Sequence, residues 1–426
     1  MEKNGKMKNI VLITVDCLRY DHLKYMKRTL SIPHISFDNI FSNAPFTAFS
    51  VTSFLTSKYP PLKRPHRTVA SILKEHGYST AGFVPNVMLI HPKVRKLKIQ
   101  NGFDVYESYL RDDPTGLIIR AIDRGMTELI DIAGMFIDKF GMNTVGEIIN
   151  KIIGYYPFTV WVTEQNAQRI IGDAWKWLKN TKEPYFLWVH LMDVHEPYMP
   201  PVEYLSLPEK TMYIVNRRLR YTRFWLSDND VKNLHTLYID EIKYVDDELY
   251  LFINAMISKG AIVILTADHG EQFKEHGGIA HHNWNMHDEQ IHVPFLVFGV
   301  DKKTDTNKMA SLIDLTPTIL DLSGIEITED MGLCGQSLFD KNYREKPVFL
   351  AGGSSLLRSW RCMDVLYGIR TKKWKLFKFK DEWVMYDLEK DPMEKHNIIN
   401  NDEYETIKQS LFYLIKDFRR KKDVWL

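Results

Sequence analysis

Two apolar runs lie far apart in the chain, and each ends on a carboxylate. Ala261-Ile262-Val263-Ile264-Leu265-Thr266-Ala267 has the length and β-branched content of a buried strand and is too short to span a membrane. It runs directly into Asp268-His269-Gly270-Glu271. Near the start, Asn9-Ile10-Val11-Leu12-Ile13-Thr14-Val15 runs into Asp16 in the same way. An Asp-His-Gly turn on its own can simply cap a strand. Ligands of open α/β sheets, however, gather where the carboxyl ends of strands meet. Two such strands side by side would bring Asp16, Asp268 and His269 together as oxygen and nitrogen donors for a metal ion.

The rest of the chain fits that sheet. Tyr185 to Met192 and Pro294 to Phe298 read as further buried strands. Between strands the pattern predicts helices over Val51–Lys58, Thr68–Glu75, Asp228–Lys259 and Ile313–Leu322. Alternation of this kind predicts an α/β fold with a mixed, mostly parallel central sheet sandwiched by helices. Near Lys346 the character changes. Residues 373–380 largely alternate basic and apolar side chains, and 383–386 supply a partner strand across the Asp381-Glu382 turn. The expectation is a catalytic domain over 1–345 and a small C-terminal antiparallel subdomain over 346–426, closed by a helix from about Tyr404 to Arg420. The stretch from about 115 to 156 carries apolar residues at helical spacing, with Arg120, Asp123, Arg124, Glu128 and Asp131 among them. It is expected to be a helical insertion packed on the core and not a membrane span.

Composition narrows the function. Lys plus Arg number 56 against 54 for Asp plus Glu, so the net charge is +2 and nucleic acid is not the expected partner. The three cysteines, Cys17, Cys334 and Cys362, have no paired spacing and suit a reducing compartment. With a charged, non-apolar N-terminal stretch, these features set a cytoplasmic expectation. The basic C-terminal residues Lys416, Arg419, Arg420, Lys421 and Lys422 allow contact with an anionic membrane but equally suit a solvated helix end.

Several segments, in order along the chain, carry a resemblance. They are Ile13-Thr14-Val15-Asp16-Cys17-Leu18-Arg19, Ala44-Pro45-Phe46-Thr47 with Ser53-Phe54-Leu55-Thr56-Ser57-Lys58-Tyr59-Pro60, and His190-Leu191-Met192-Asp193-Val194-His195-Glu196-Pro197-Tyr198. They continue with Thr266-Ala267-Asp268-His269-Gly270-Glu271, residues 288–294, residues 314–322, and Tyr386-Asp387-Leu388-Glu389-Lys390-Asp391-Pro392. Together they resemble the sulfatase and alkaline phosphatase superfamily over nearly the whole chain. The resemblance implies Asp16, Thr47, Asp268 and His269 as metal ligands, with Thr47 also the nucleophile. It implies His195 and His282 as catalytic residues facing the ester, or His281 should the loop shift by one. His190, by contrast, reads as a satisfied core histidine.

Two departures bear on the substrate. Sulfatases carry a Cys or Ser that becomes formylglycine, followed by Pro and Arg two and four residues later. Here those positions are Phe49 and Val51, and the nucleophile position is an unmodified threonine. The family's Gly-Lys-Trp-His element is replaced by Gly82-Phe83-Val84-Pro85-Asn86-Val87. A threonine hydroxyl needs a metal or a base to attack at neutral pH, and a helix starting just after it would favour an anion there. Thr47 as a simple helix N-cap is the structural alternative. The expected protein is a metal-dependent hydrolase or transferase of phosphate or sulfate esters, with phosphodiesters or phosphonates preferred and small or lipid-linked anionic substrates. A sulfatase without formylglycine and a silent metal-binding relative are the alternatives. One divalent ion, Mn²⁺, Zn²⁺ or Ca²⁺, is the expected cofactor. Asp193, His195 and His282 are candidate ligands for a second.

Overall fold

In the computed structural model, residues 7–90, 92–109, 166–353 and 365–425 are described. The helical insertion expected at 115–156 lies outside them. The strands are β1 (Ile10–Val15), β2 (His34–Ser36), β3 (Ile40–Phe41), β4 (Ser79–Phe83), β5 (Val105–Glu107), β6 (Tyr185–Leu191), β7 (Ile262–Thr266), β8 (Phe295–Phe298) and β9 (Ala310–Ser311). Seven of them form the central sheet in the order β2-β8-β7-β1-β6-β4-β5. β1 pairs in parallel with both β6 and β7, and β8 runs antiparallel to its neighbours. The sheet is therefore mixed and mostly parallel.

β1, β6 and β7 are buried along their whole length, as their near-continuous apolar sequences require when both sheet faces are covered. The covering helices are α1 (Thr47–Thr56), α2 (Val69–Glu75), α3 (Ala167–Leu178), α4 (Glu209–Thr222), α5 (Asp228–Ser258) and α6 (Leu315–Leu322). Thr68 does not open α2 but caps it: its hydroxyl accepts from Ser71 N while Ser71 Oγ accepts from Thr68 N. The long α5 opens with the same device at Ser227 and Asp230. Among the described residues, no helix is long and apolar enough to cross a membrane.

α1 starts four residues earlier than its sequence suggests. Serine and threonine favour turns because their hydroxyls compete for backbone groups. Here every residue of the helix is buried, and the hydroxyls bond within the structure instead. Thr52 donates to Ala48 O and Thr56 to Thr52 O, each at 2.7 Å.

After the central sheet come β10 (Val348–Gly353), β11 (Val365–Arg370), β12 (Trp374–Phe379) and β13 (Glu382–Asp387), an antiparallel sheet in sequential order. Helix α7 (Glu405–Trp425) packs on it, with Leu411 and Ile415 against Ile369, Leu376 and Met385. In α7, Arg420 and Lys421 both pair with Asp417, which offsets part of the basic cluster. β10 is tied to the larger unit through Ala351 N to Asn43 O and Gly353 N to Asn283 O.

Candidate active site

The register of the central sheet builds the site. Thr14 lies level with His190 on one side and Thr266 on the other, so the chain leaves β1, β6 and β7 at one edge. Asp16 follows β1, and its backbone N–H still bonds Leu191 O. Asp268 and His269 emerge beside it from β7. Gly270 must be glycine, because a Cβ there would stand 2.1 Å from Glu289 O. Asp16, Asp268 and His269 are all fully buried.

The donor atoms converge. His269 Nε2 lies 3.6 Å from Asp16 Oδ1 and 3.5 Å from Asp268 Oδ2. Thr47 Oγ1 lies 3.3 Å from Asp16 Oδ2 and 3.3 Å from His269 Nε2. Thr47 is the first residue of α1, and Phe46 holds the N-cap position without a side-chain cap. The Thr47 hydroxyl is therefore not used in capping, and it belongs to the end of the helix whose first N–H groups have no intrahelical acceptor.

Hydrogen bonds fix which nitrogens carry protons. His269 Nδ1 donates to Gly270 O at 2.8 Å, leaving the Nε2 lone pair to face the carboxylates. Trp188 Nε1 can only donate, and it donates to Thr14 Oγ1 at 2.9 Å. Thr14 then donates to His190 Nδ1 at 2.7 Å, so His190 Nε2 carries the proton that faces Asp16 Oδ2 at 3.2 Å. His190 is a satisfied core histidine, as expected, but the group that satisfies it is a site carboxylate. Burial would raise the Asp16 pKa, yet the hydrogen bond from His190 and the neighbouring imidazoles hold it well below the usual carboxylate range. Burial and then the Asp16 charge push Asp268 up. Asp268 Oδ2 is buried with no hydrogen-bond partner. Two adjacent buried carboxylates, an orphaned oxygen and an imidazole lone pair fit a divalent cation held by Asp16, Asp268, His269 and Thr47.

Other residues of the site were not singled out by sequence. Asn86 donates from Nδ2 to Asp16 Oδ2 at 2.7 Å and stands 3.5 Å from Thr47 Oγ1. Its Oδ1 accepts from Met88 N, which fixes the amide's orientation. It occupies the stretch that replaces the family's Gly-Lys-Trp-His element, and that replacement was the available signal. Cys17 adopts a left-handed backbone (φ 64) that turns its thiol back to 3.2 Å from Asp16 Oδ1.

The structure brings His281, not His282, into the cluster. His281 Nδ1 is 3.7 Å from Cys17 Sγ and 3.8 Å from Glu271 Oε1, and its ring meets those of His269 and His195. Burial would lower its pKa, but Glu271 raises it to about 9. His282 instead stacks on Trp284, with ring centroids 4.8 Å apart. Burial, Arg223 and His281 lower its pKa to about 3. The one-residue difference follows the positive φ at Ala280, a turn that sequence spacing cannot show. His195 joins the cluster, with Nδ1 bonded to Glu196 O. Asp193 does not. Its Oδ1 accepts from Ala167 N, and the charges that act on it are Glu248, Glu241 and Tyr244, so the second-ion set Asp193, His195 and His282 is not assembled.

A twisted, mostly parallel sheet with carboxylate and imidazole donors at its strand ends, and a hydroxyl at a helix start, defines the class as sulfatase-like ester hydrolases. The chain belongs to the sulfatase family: the Sulfatase family model matches residues 8–325. The model described as N-sulphoglucosamine sulphohydrolase, C-terminal, matches residues 275–421. Arylsulfatase K of Rattus norvegicus is 28% identical over 231 residues, which cover 50% of this chain and 37% of that protein. An arylsulfatase of Clostridium perfringens is 23% identical over 473 residues, covering 96% of this chain and 93% of that one. The crystal structure of the phosphonate monoester hydrolase of Agrobacterium radiobacter shares the fold, with a TM-score of 0.65, 18% identity, and 97% and 96% of the two chains covered.

Proposed function

We propose that this protein is a metal-dependent hydrolase of sulfate esters in which the unmodified Thr47 attacks the ester centre. The observation that carries this reading is the Thr47 hydroxyl, uncommitted to capping and 3.3 Å from both Asp16 and His269. The names of the relatives move the balance from the phosphodiester preference expected from sequence towards sulfate esters. A bound divalent cation would stabilise the threonine alkoxide and the charge that develops on the ester oxygens.

The chain's own residues supply the rest. Asp16 is kept ionised by Asn86 and His190. The N-terminal N–H groups of α1 orient the anionic ester. Thr47 Oγ1 gives up its proton to solvent and forms the new bond to sulfur as the bond to the alcohol oxygen breaks. His281, favoured in its protonated form by Glu271, gives that oxygen its proton. His195, beside it, presents Nε2 to the ester. A water oxygen then takes the sulfo group from the threonine, and the group leaves as hydrogen sulfate while one water proton restores the Thr47 hydroxyl and His281 regains its proton from solvent.

A second reading, a phosphonate or phosphodiester hydrolase, is favoured by the absence of a formylglycine position and by the phosphonate hydrolase fold neighbour. Turnover of aryl sulfates, phosphonate monoesters and phosphodiesters by the metal-loaded protein tests both. The sulfate reading expects the largest kcat/KM on a sulfate, lowered by at least on the order of 10³-fold in Thr47→Ala. A phosphonate or diester optimum would select the second reading. Turnover unaffected by Thr47→Ala would refute the nucleophile.

A further inference from the structure

We infer that Cys17, His195 and His281 form a second cation site beside the first, one that takes a thiophilic divalent ion such as Zn²⁺. One donor atom from each lies within 4.8 Å of the others. Cys17 Sγ and His281 Nδ1 are 3.7 Å apart. Two ligands sharing a tetrahedral zinc ion at 2.0–2.3 Å stand roughly 3.5 Å from each other, so little movement is needed. His195 uses Nδ1 on the Glu196 carbonyl, which leaves Nε2 for the ion.

An independent feature points to the same place. Glu271 is fully buried, its Oε2 accepts from Tyr198, and its Oε1 has no hydrogen-bond partner. That orphaned oxygen lies 3.8 Å from His281 Nδ1, too far for a hydrogen bond but within reach of a shared cation. A thiolate and two imidazoles match the three-protein-ligand pattern of exchangeable zinc sites, with Glu271 available as a fourth donor. The first site, with two carboxylates, an imidazole and a hydroxyl, is harder in character, so the two differ in ion preference.

Binding releases the Cys17 thiol proton and the His281 proton to solvent. Proton donation by His281 and occupancy of this site exclude one another, so a thiophilic ion would switch off the acid proposed above. The binding site itself does not depend on which ester is cleaved.

The test is equilibrium dialysis of the full chain against Co²⁺, with elemental analysis and absorption spectroscopy. The wild type should bind about two ions per chain and show a thiolate-to-cobalt charge-transfer band. Cys17→Ser should bind about one ion and lack the band, and His281→Gln should lose the same ion. Asp268→Asn should keep the band while losing the other ion. About one ion in the wild type would overturn the inference. So would loss of the band in Asp268→Asn, which would assign Cys17 to the first site. Failure of Asp268→Asn to lose any ion, with the band intact, would overturn the first site and leave the second standing.

Discussion

Two clusters of buried acids in this molecule have opposite electrostatic bookkeeping. At the junction with the C-terminal sheet, Asp288 receives Arg370 Nη2 at 3.0 Å and Lys375 Nζ at 2.7 Å. The fully buried Lys375 also pairs with Glu394 at 2.8 Å. Burial would raise the Asp288 pKa, but the two cations hold it far below the usual range. At the sheet edge, Asp16, Asp268 and Glu271 are fully buried, yet among the described residues the basic groups that pair with them are histidines, and oxygens of Asp268 and Glu271 remain without a hydrogen-bond partner. The first cluster is complete within the chain and locks the two sheets together. The second, on the function proposed above, is completed by cations from outside. Burial of acids thus does not distinguish structure from function here; the missing countercharge does.

The comparison breaks most visibly at its carboxylates. Asp268→Asn removes a charge that no lysine or arginine among the described residues pairs with. It should abolish binding of the first ion and lower turnover by at least on the order of 10³-fold. In chelator-treated protein the same change should leave stability unchanged or raise it by about 1 kcal/mol. Metal retained in this variant, or a clear loss of metal-free stability, would place the countercharge inside the protein. Asp288→Asn removes an acid whose cations stay behind. Denaturant unfolding should show a loss of about 3–5 kcal/mol. A neutral result would mean that the junction does not depend on this pair.

Much of this contrast was legible in the chain. Asp16, Asp268 and His269 stand at the ends of strands whose apolar runs announce themselves, and Thr47 opens a helix in a recognisable segment. Asn86 and His190 were not legible as site residues, because each acts through sheet register: His190 meets the site only because β6 places it level with Thr14. His281 was placed second to its neighbour, as the choice if the loop shifts by one, because the positive φ at Ala280 sets which side chain turns inward. The junction cluster was invisible for the same reason. Asp288 is far in sequence from Arg370, Lys375 and Glu394, and alternation in 373–380 predicts an exposed strand, whereas Lys375 is fully buried.

Asp193 supplies a smaller, sharpening case: an acid with neither cation nor ligand chemistry. Burial raises its pKa from 3.8 to about 7. Between those values the folded state holds a proton that the unfolded state has lost, so stability is highest below the lower value and falls as pH rises to the upper one. Partial exposure of the side chain screens the effect to about 1–2 kcal/mol. Asp193→Asn should therefore match the wild type near pH 4 and exceed it by about that amount near pH 8, read from urea midpoints. Equal pH slopes in the two proteins would show that this partly buried acid costs nothing here.

The central claim is that the uncompensated cluster exists to let Thr47 attack an anionic ester. Rapid quenching of metal-loaded protein during turnover of an aryl sulfate, followed by peptide mass spectrometry, tests it most directly. The account predicts a sulfo group on the peptide that contains Thr47, localised to that residue and absent from Thr47→Ala. An adduct on a different residue, or turnover by Thr47→Ala at the wild-type rate, would contradict it.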